Sequence, residues 1–173
     1  SPVPQSSVMT TLPDIRAGST STQIASASAV LGSSSREKAT VLRVVDGDTV
    51  VLTDGRKLRY IGIDTPETVK PGVAPECFGH EASLKNKELV EGKQIEMEKD
   101  VSEVDRYGRL LRLVYVGDIF VNDAMVREGY AYASTYPPDV KYSEQFKDAE
   151  RDAQTHSAGL WAASCPVHKG DKI

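Results

Sequence analysis

Residues 39–68 read ATVLRVVDGDTVVLTDGRKLRYIGIDTPET, and the fold turns on this stretch. Three runs rich in β-branched and aromatic residues, ATVLRVV, DTVVLT and RKLRYIGI, are separated by turn chemistry and predict three strands in quick succession. Asp54-Gly55 predicts a hairpin closed by a type I′ turn, which needs positive φ at both central residues. Connections this short exclude parallel crossovers. Downstream, Phe78, Ala82 and Leu89 recur at helical spacing, with Gly92 placed to stop the helix. Two further strands are expected near Gln94 to Glu98 and Leu110 to Val116. Asn122 is placed to cap a second helix, with Val121 and Val126 as a hydrophobic staple and Gly129 as terminator. Ser143 is placed to cap a third, in which Phe146, Ala149 and Ala153 share a face and which Gly159 ends. The order βββ-α-ββ-α-α predicts a β-rich α+β domain, a small and mostly antiparallel five-stranded barrel with three helices packed outside.

Residues 1–36 differ in texture. They are dominated by Ser, Thr and Ala with few large apolar side chains, which predicts a disordered tail or linker. The folded domain is expected over residues 37–166, with 167–173 as a C-terminal tail. The whole chain has a net charge of −4, from 21 Lys and Arg against 25 Asp and Glu; the first 36 residues carry only Asp14, Arg16 and Arg36, a balance of +1, so the rest carries −5. That acidity argues against a broad basic face holding nucleic acid through many phosphate contacts; any phosphate chemistry must be local. No run approaches the roughly 18 to 20 consecutive apolar residues that cross a bilayer. The chain begins at Ser1 with no basic and apolar leader, so any targeting signal is expected to have been removed or to lie outside it.

Four acidic residues fall in turns at strand ends: Asp46 and Asp48 in DGDT, Asp64 and Glu67 in DTPET. Singly, each motif is ordinary turn chemistry. If the first and third strands are neighbours, the two turns converge and offer hard carboxylate oxygens and a backbone carbonyl to a Ca2+-type ion. An EF-hand is excluded, because twelve-residue loops begun at Asp46, Asp48 or Asp54 end on Lys57, Arg59 or Thr65, never on Glu. Arg59 shares period-2 parity with Ile61 and Ile63, an unusual place for a guanidinium without a partner. Arg109 closes DRYGR at the start of the next strand. Each alone reads as a solvated or salt-bridged Arg. Two Arg forks beside a carboxylate-bound cation make a pocket for a phosphodiester under attack by water.

The series DGDT, LRYIGIDTPET, FGHEAS, DRYGR, VNDAMVREGYA and GLW, in this order from about Ala39 to Trp161, resembles the staphylococcal nuclease family. The resemblance implies a five-stranded Greek-key OB-fold barrel with three helices and Ca2+-dependent cleavage of DNA and RNA to 3′-phosphate products. Position by position, it implies that Asp48 and Asp64 are calcium carboxylates and that Thr65 supplies a backbone carbonyl. It implies Glu67 as general base, Arg59 and Arg109 as phosphate-binding arginines, and Tyr107 as a residue beside the bound nucleotide. Arg106 stands where the family has Lys, and the charge is kept. After Ala131 the family carries two nearby tyrosines; here the chain reads Ala133-Ser134-Thr135-Tyr136-Pro137, and only Tyr136 remains for stacking.

Cys77 and Cys165 are the only cysteines and have no CxxC spacing, which argues against a zinc knuckle or redox pair. A single disulfide, implying an oxidising compartment, stands beside the alternative of two buried free thiols. With the Ser/Thr-rich spacer, it predicts an extracellular or surface-anchored location. No obligate protein partner is evident, and a monomer acting on DNA and RNA is expected. Two other readings remain: a non-catalytic OB-fold module that binds nucleic acid or protein, and a calcium-binding structural domain. The joint presence of Asp48, Asp64, Glu67, Arg59 and Arg109 discriminates against both.

Overall fold

The structure is a computed structural model that describes residues 36–68, 71–72, 74–162 and 165. The tail readings for residues 1–35 and 167–173 lie outside the described residues. Arg36, counted with the tail by composition, packs its guanidinium 3.6 Å from the centroid of Tyr115 and bonds Glu98.

The predicted strands form. β1 (Glu37–Asp46), β2 (Thr49–Leu52) and β3 (Lys57–Tyr60) run as an antiparallel meander, followed by β4 (Ile63–Asp64), α1 (Gly79–Val90), β5 (Gln94–Glu98) and β6 (Leu110–Val116). β7 (Ile119–Phe120) leads into α2 (Val121–Arg127); β8 (Tyr132–Ala133), α3 (Ser143–Thr155) and a 3-10 turn (Gly159–Trp161) follow. The strand order β3-β2-β1-β5-β6 closes on itself because β3 also pairs with β6, in parallel, with Arg59 opposite Leu111. The result is a five-stranded mixed barrel of OB type. β1 is long enough to serve two neighbours: Glu37 to Thr40 pair with β5, while Val41 to Asp46 pair with β2 through two register shifts. Such irregularities bend a strand and raise its twist, as a small barrel needs.

Val41, Val50, Leu52, Leu58, Ile95, Met97 and Leu113 fill the interior, each no more than 2% exposed. The helices pack outside, α3 burying Phe146, Ala149 and Ala153 as its spacing predicts.

Several local expectations are corrected. The first and third strands are not neighbours; β2 lies between them. The two acidic turns still meet, because the β2–β3 hairpin returns the chain to the end at which β1 stopped, with Thr49 opposite Arg59. That hairpin is not type I′. Only Gly55 has positive φ, its N–H donates to the carbonyl of Leu52, and the Leu52 N–H donates to that of Arg56. This is the three-residue loop in which a turn is followed by a left-handed glycine. Asn122 is no cap: it lies inside α2, fully buried, accepting from Val114 N–H at 2.9 Å and donating to the Ile61 carbonyl at 2.8 Å. Two backbone groups in the barrel wall need partners, and that demand outcompetes capping. Ser143 is the first residue of α3 rather than its cap, the cap position being Tyr142, and α3 ends at Thr155 rather than running to Gly159.

Candidate active site

The site lies where β1, β2, β3 and β4 end together. The DGDT turn holds Asp46 and Asp48 between β1 and β2, and the Tyr60 N–H donates to the Asp48 carbonyl at 2.9 Å, lacing the end of β3 to that turn. β4 then carries Asp64, opposite Tyr132 of β8. Arg59 is 7% exposed and its guanidinium forks: Nη1 lies 2.8 Å from Asp48 Oδ2 and Nη2 lies 2.8 Å from Asp64 Oδ1. Nη1 also donates to the Ile63 carbonyl at 3.1 Å. The guanidinium that parity placed among apolar residues therefore has its partners, and planar fork geometry suits them.

Asp48 is held from the other side as well. Its Oδ2 accepts from the N–H and the hydroxyl of Thr65, both at 2.9 Å, and its Oδ1 from the Thr49 hydroxyl at 2.9 Å. Asp46, two positions earlier, accepts from Gly47 N–H at 2.8 Å, the Thr68 hydroxyl at 2.8 Å and the Ser83 hydroxyl at 3.1 Å. Burial pushes its carboxyl up to about 6, and the neighbouring Glu67 carboxyl and Asp48 charge push the same way. Glu67 thus belongs to the same cluster. Its backbone is clamped by Glu76, whose Oε2 accepts from the Glu67 N–H at 3.0 Å and whose N–H donates to the Glu67 carbonyl at 2.8 Å.

Arg109 stands at the mouth of β6, two positions before the level of Arg59. Its Nε–H donates to Asp105 Oδ2 at 2.6 Å, and its guanidinium carbon lies 5.4 Å from the Tyr107 ring centroid. Arg106 flanks the same ring at 4.8 Å, and Tyr107 is 66% exposed. The structure therefore joins Asp46, Asp48, Arg59, Asp64, Thr65 and Glu67 in one cluster. Arg106, Tyr107 and Arg109 form a second group on the β5–β6 loop, and Tyr136 lies on the loop before α3, bridged to Asp139. Lys85, Lys87 and Lys141 are paired with Glu128, Glu91 and Glu98.

Four carboxyls against one buried guanidinium leave a surplus of negative charge, and every donor is a hard oxygen, so the residues fit a Ca2+-type cation. Among the described residues no three His, Cys, Asp or Glu side chains converge as a metal set. The family resemblance, not this geometry, assigns a cation to Asp48, Asp64 and the Thr65 carbonyl, and water would complete the six to eight oxygens Ca2+ takes.

Cys77 and Cys165 are joined, with an S–S distance of 2.00 Å and Cα atoms 5.6 Å apart. The disulfide ties the segment just after Glu76 to the chain beyond Trp161. No described helix is long and apolar enough to cross a membrane.

A closed OB-type barrel with carboxylates and a buried arginine gathered at one end is the class of domain that the fold and the site define. The chain belongs to the staphylococcal nuclease homologue family, whose profile matches residues 57–163. It is 39% identical over 138 residues to a thermonuclease of Staphylococcus hyicus, covering 78% of this chain and 82% of that protein. It is 39% identical over 124 residues to a thermonuclease of Staphylococcus intermedius, covering 70% of this chain and 74% of that one. Endonuclease YncB of Bacillus subtilis is 40% identical over 130 residues, spanning 72% of this chain and 62% of the relative.

Proposed function

We propose that the protein is a calcium-dependent nuclease that hydrolyses phosphodiester bonds of DNA and RNA and leaves 3′-phosphate ends. The observation that carries this reading is Arg59, buried and forked between Asp48 and Asp64. A structural calcium site has no use for a guanidinium between its ligands, whereas a phosphodiester needs both charges close together. The names of the thermonuclease and endonuclease relatives support the reaction class.

Asp48, Asp64 and the Thr65 carbonyl would hold Ca2+, which when bound supplies a Lewis acid to a non-bridging phosphoryl oxygen. Glu67 takes a proton from the attacking water, its backbone kept in place by Glu76. Arg59 donates to the equatorial phosphoryl oxygens as their charge grows. Arg109 does the same with its two Nη groups, since Asp105 occupies Nε. A guanidinium with a pKa above ~12 is a poor acid, so Arg109 stabilises charge rather than delivering a proton to the leaving group. Tyr107, flanked by Arg106, offers a stacking face to a base, and Tyr136 offers a second. All these groups come from one chain, which suits a monomer. The disulfide favours an oxidising, extracellular setting.

The test is cleavage of heat-denatured DNA and of RNA, with Ca2+ and with a chelator, alongside Glu67→Gln. Ca2+-dependent products with 3′-phosphate ends are expected, and Glu67→Gln should lower kcat by about 10²- to 10⁴-fold. A folded protein that binds Ca2+ and nucleic acid without cleaving either would overturn the reading in favour of a binding module.

A further inference from the structure

The inner edge of α1 carries three residues with no apolar role. Gly79, Ser83 and Asn86 follow one another at i, i+4 and i+7, the spacing of a single helix face. Each touches the acidic turns. A Cβ on Gly79 would come within 2.6 Å of the Thr68 methyl, 3.0 Å of the Pro66 carbonyl and 3.3 Å of the Glu67 carbonyl. The Ser83 hydroxyl donates to Asp46 Oδ1 at 3.1 Å. The fully buried Asn86 donates through Nδ2 to the Asp46 carbonyl at 3.0 Å, while its Oδ1 accepts from the Tyr60 hydroxyl at 2.8 Å.

Asp46 is the node of this arrangement. Its carboxylate also accepts from the Thr68 hydroxyl at 2.8 Å and the Thr68 N–H at 3.3 Å, immediately after Glu67. One helix face thus holds the residue two positions before Asp48 and, through Asp46, the residue one position after Glu67.

We infer that Ser83 and Asn86 are positioning residues, which fix the Glu67 segment against the DGDT turn through Asp46. The inference rests on the nuclease reading and assigns α1 the task of aligning the base with the reacting phosphate. A misplacement on the order of 1 Å at a reacting group costs up to about 10²-fold in rate. Ser83→Ala removes one hydroxyl, the donor to Asp46 Oδ1. Asn86→Asp keeps the shape and the acceptor for Tyr60 but loses the donor to the Asp46 carbonyl.

The experiment measures kcat, KM and Ca2+ affinity for wild type, Ser83→Ala, Asn86→Asp and Glu67→Gln, and for each α1 variant combined with Glu67→Gln. Leu84→Ser, on the exposed side of the same helix, serves as control, and thermal unfolding confirms that each protein is folded at the assay temperature. Ser83→Ala and Asn86→Asp are expected to lower kcat by about ten- to a hundredfold with KM within about threefold of wild type. In the Glu67→Gln background they should lower it little further, since they act through a group already removed. Ser83→Thr, which retains the donor, should recover most of the activity.

Effects that simply multiply with Glu67→Gln, or α1 variants as active as Leu84→Ser, overturn the inference while leaving the nuclease reading intact. A wild-type protein that does not cleave removes both. A wild type that cleaves but is unaffected by Glu67→Gln removes the base assignment, and the positioning role with it.

Discussion

Gly129 and Gly159 meet backbone to backbone: a Cβ on Gly129 would lie 2.2 Å from the Ala158 carbonyl oxygen, and one on Gly159 would lie 2.2 Å from the Gly129 carbonyl oxygen. Both have positive φ, and the Leu160 N–H donates to the Gly129 carbonyl at 2.8 Å. Only glycine satisfies both the dihedral and the space. This contact seats the 3-10 turn, so that Trp161 packs edge-on against Tyr132, the residue paired with Asp64 across the β4–β8 ladder.

Gly129→Ala should therefore cost about 2 to 3 kcal/mol, since it combines backbone strain with a clash that only movement of the C-terminal segment relieves. A fall in Tm on the order of 10 °C is expected, read by calorimetry at neutral pH. A change within a degree of wild type would show that the turn moves freely.

Arg59→Ala strips both Asp48 and Asp64 of their cation in a buried site. Breaking a buried pair costs about 3 to 5 kcal/mol, so the variant should unfold earlier in the presence of a chelator. Added Ca2+ should restore more stability to it than to wild type, because a divalent ion then supplies the missing charge. Thermal unfolding with and without Ca2+ measures the difference. Arg59→Lys should retain the charge but not the fork, leaving nuclease activity reduced by about 10²-fold or more.

Reduction of the Cys77–Cys165 bond opens a loop with a sequence separation of 88. In the chain-entropy description this removes about 4.5 kcal/mol from folding stability. Denaturant unfolding with and without a dithiol reductant, with Cys165→Ser as the permanently open form, should show matching shifts in midpoint.

Asp139 is 8% exposed and accepts from the N–H groups of Val101 at 2.9 Å and Ser102 at 2.8 Å. Burial alone would raise its carboxyl; the hydrogen bonds from Ser102 and Val101 outweigh it and hold the group below the ordinary carboxylate range. A depressed folded value means that the ionised form is the stabilising one. Its contribution is present above the unfolded pKa of ~3.9 and is lost as pH falls through the folded value. Asp139→Asn should lower stability at pH 7 and show a flatter loss between about pH 4 and pH 2. Urea unfolding across that range checks it.

Much of the barrel was legible in the sequence because strands and turns are local. The last two strands fall at Gln94–Glu98 and Leu110–Val116 as expected, since alternation within a few residues is enough to specify them. The errors share a physical origin. Asn122 and Ser143 have the chemistry of caps, yet Asn122 is claimed by backbone groups of the barrel wall that are distant in sequence. Asp54-Gly55 carries a hairpin signal, but the loop type depends on which residues pair across it, and Leu52 pairs with Arg56.

The site divides in the same way. Asp48, Asp64, Glu67, Arg59 and Arg109 stood out as candidates from residue type, and the family resemblance supplied their proposed roles. Ser83 and Asn86 did not stand out. On a helix they read as ordinary polar residues, and the only trace is that they continue the spacing begun by Gly79. Composition and local pattern alone determined the five barrel strands, the acidic turns and the charge excess, but not the short strands β4, β7 and β8. Only the closed barrel decided that Arg59 bridges the two aspartates and that one face of α1 grips Asp46, because those contacts join residues up to 40 positions apart. No local preference encodes a contact at that separation; it forms when the hydrophobic interior closes and every buried polar group must find a partner.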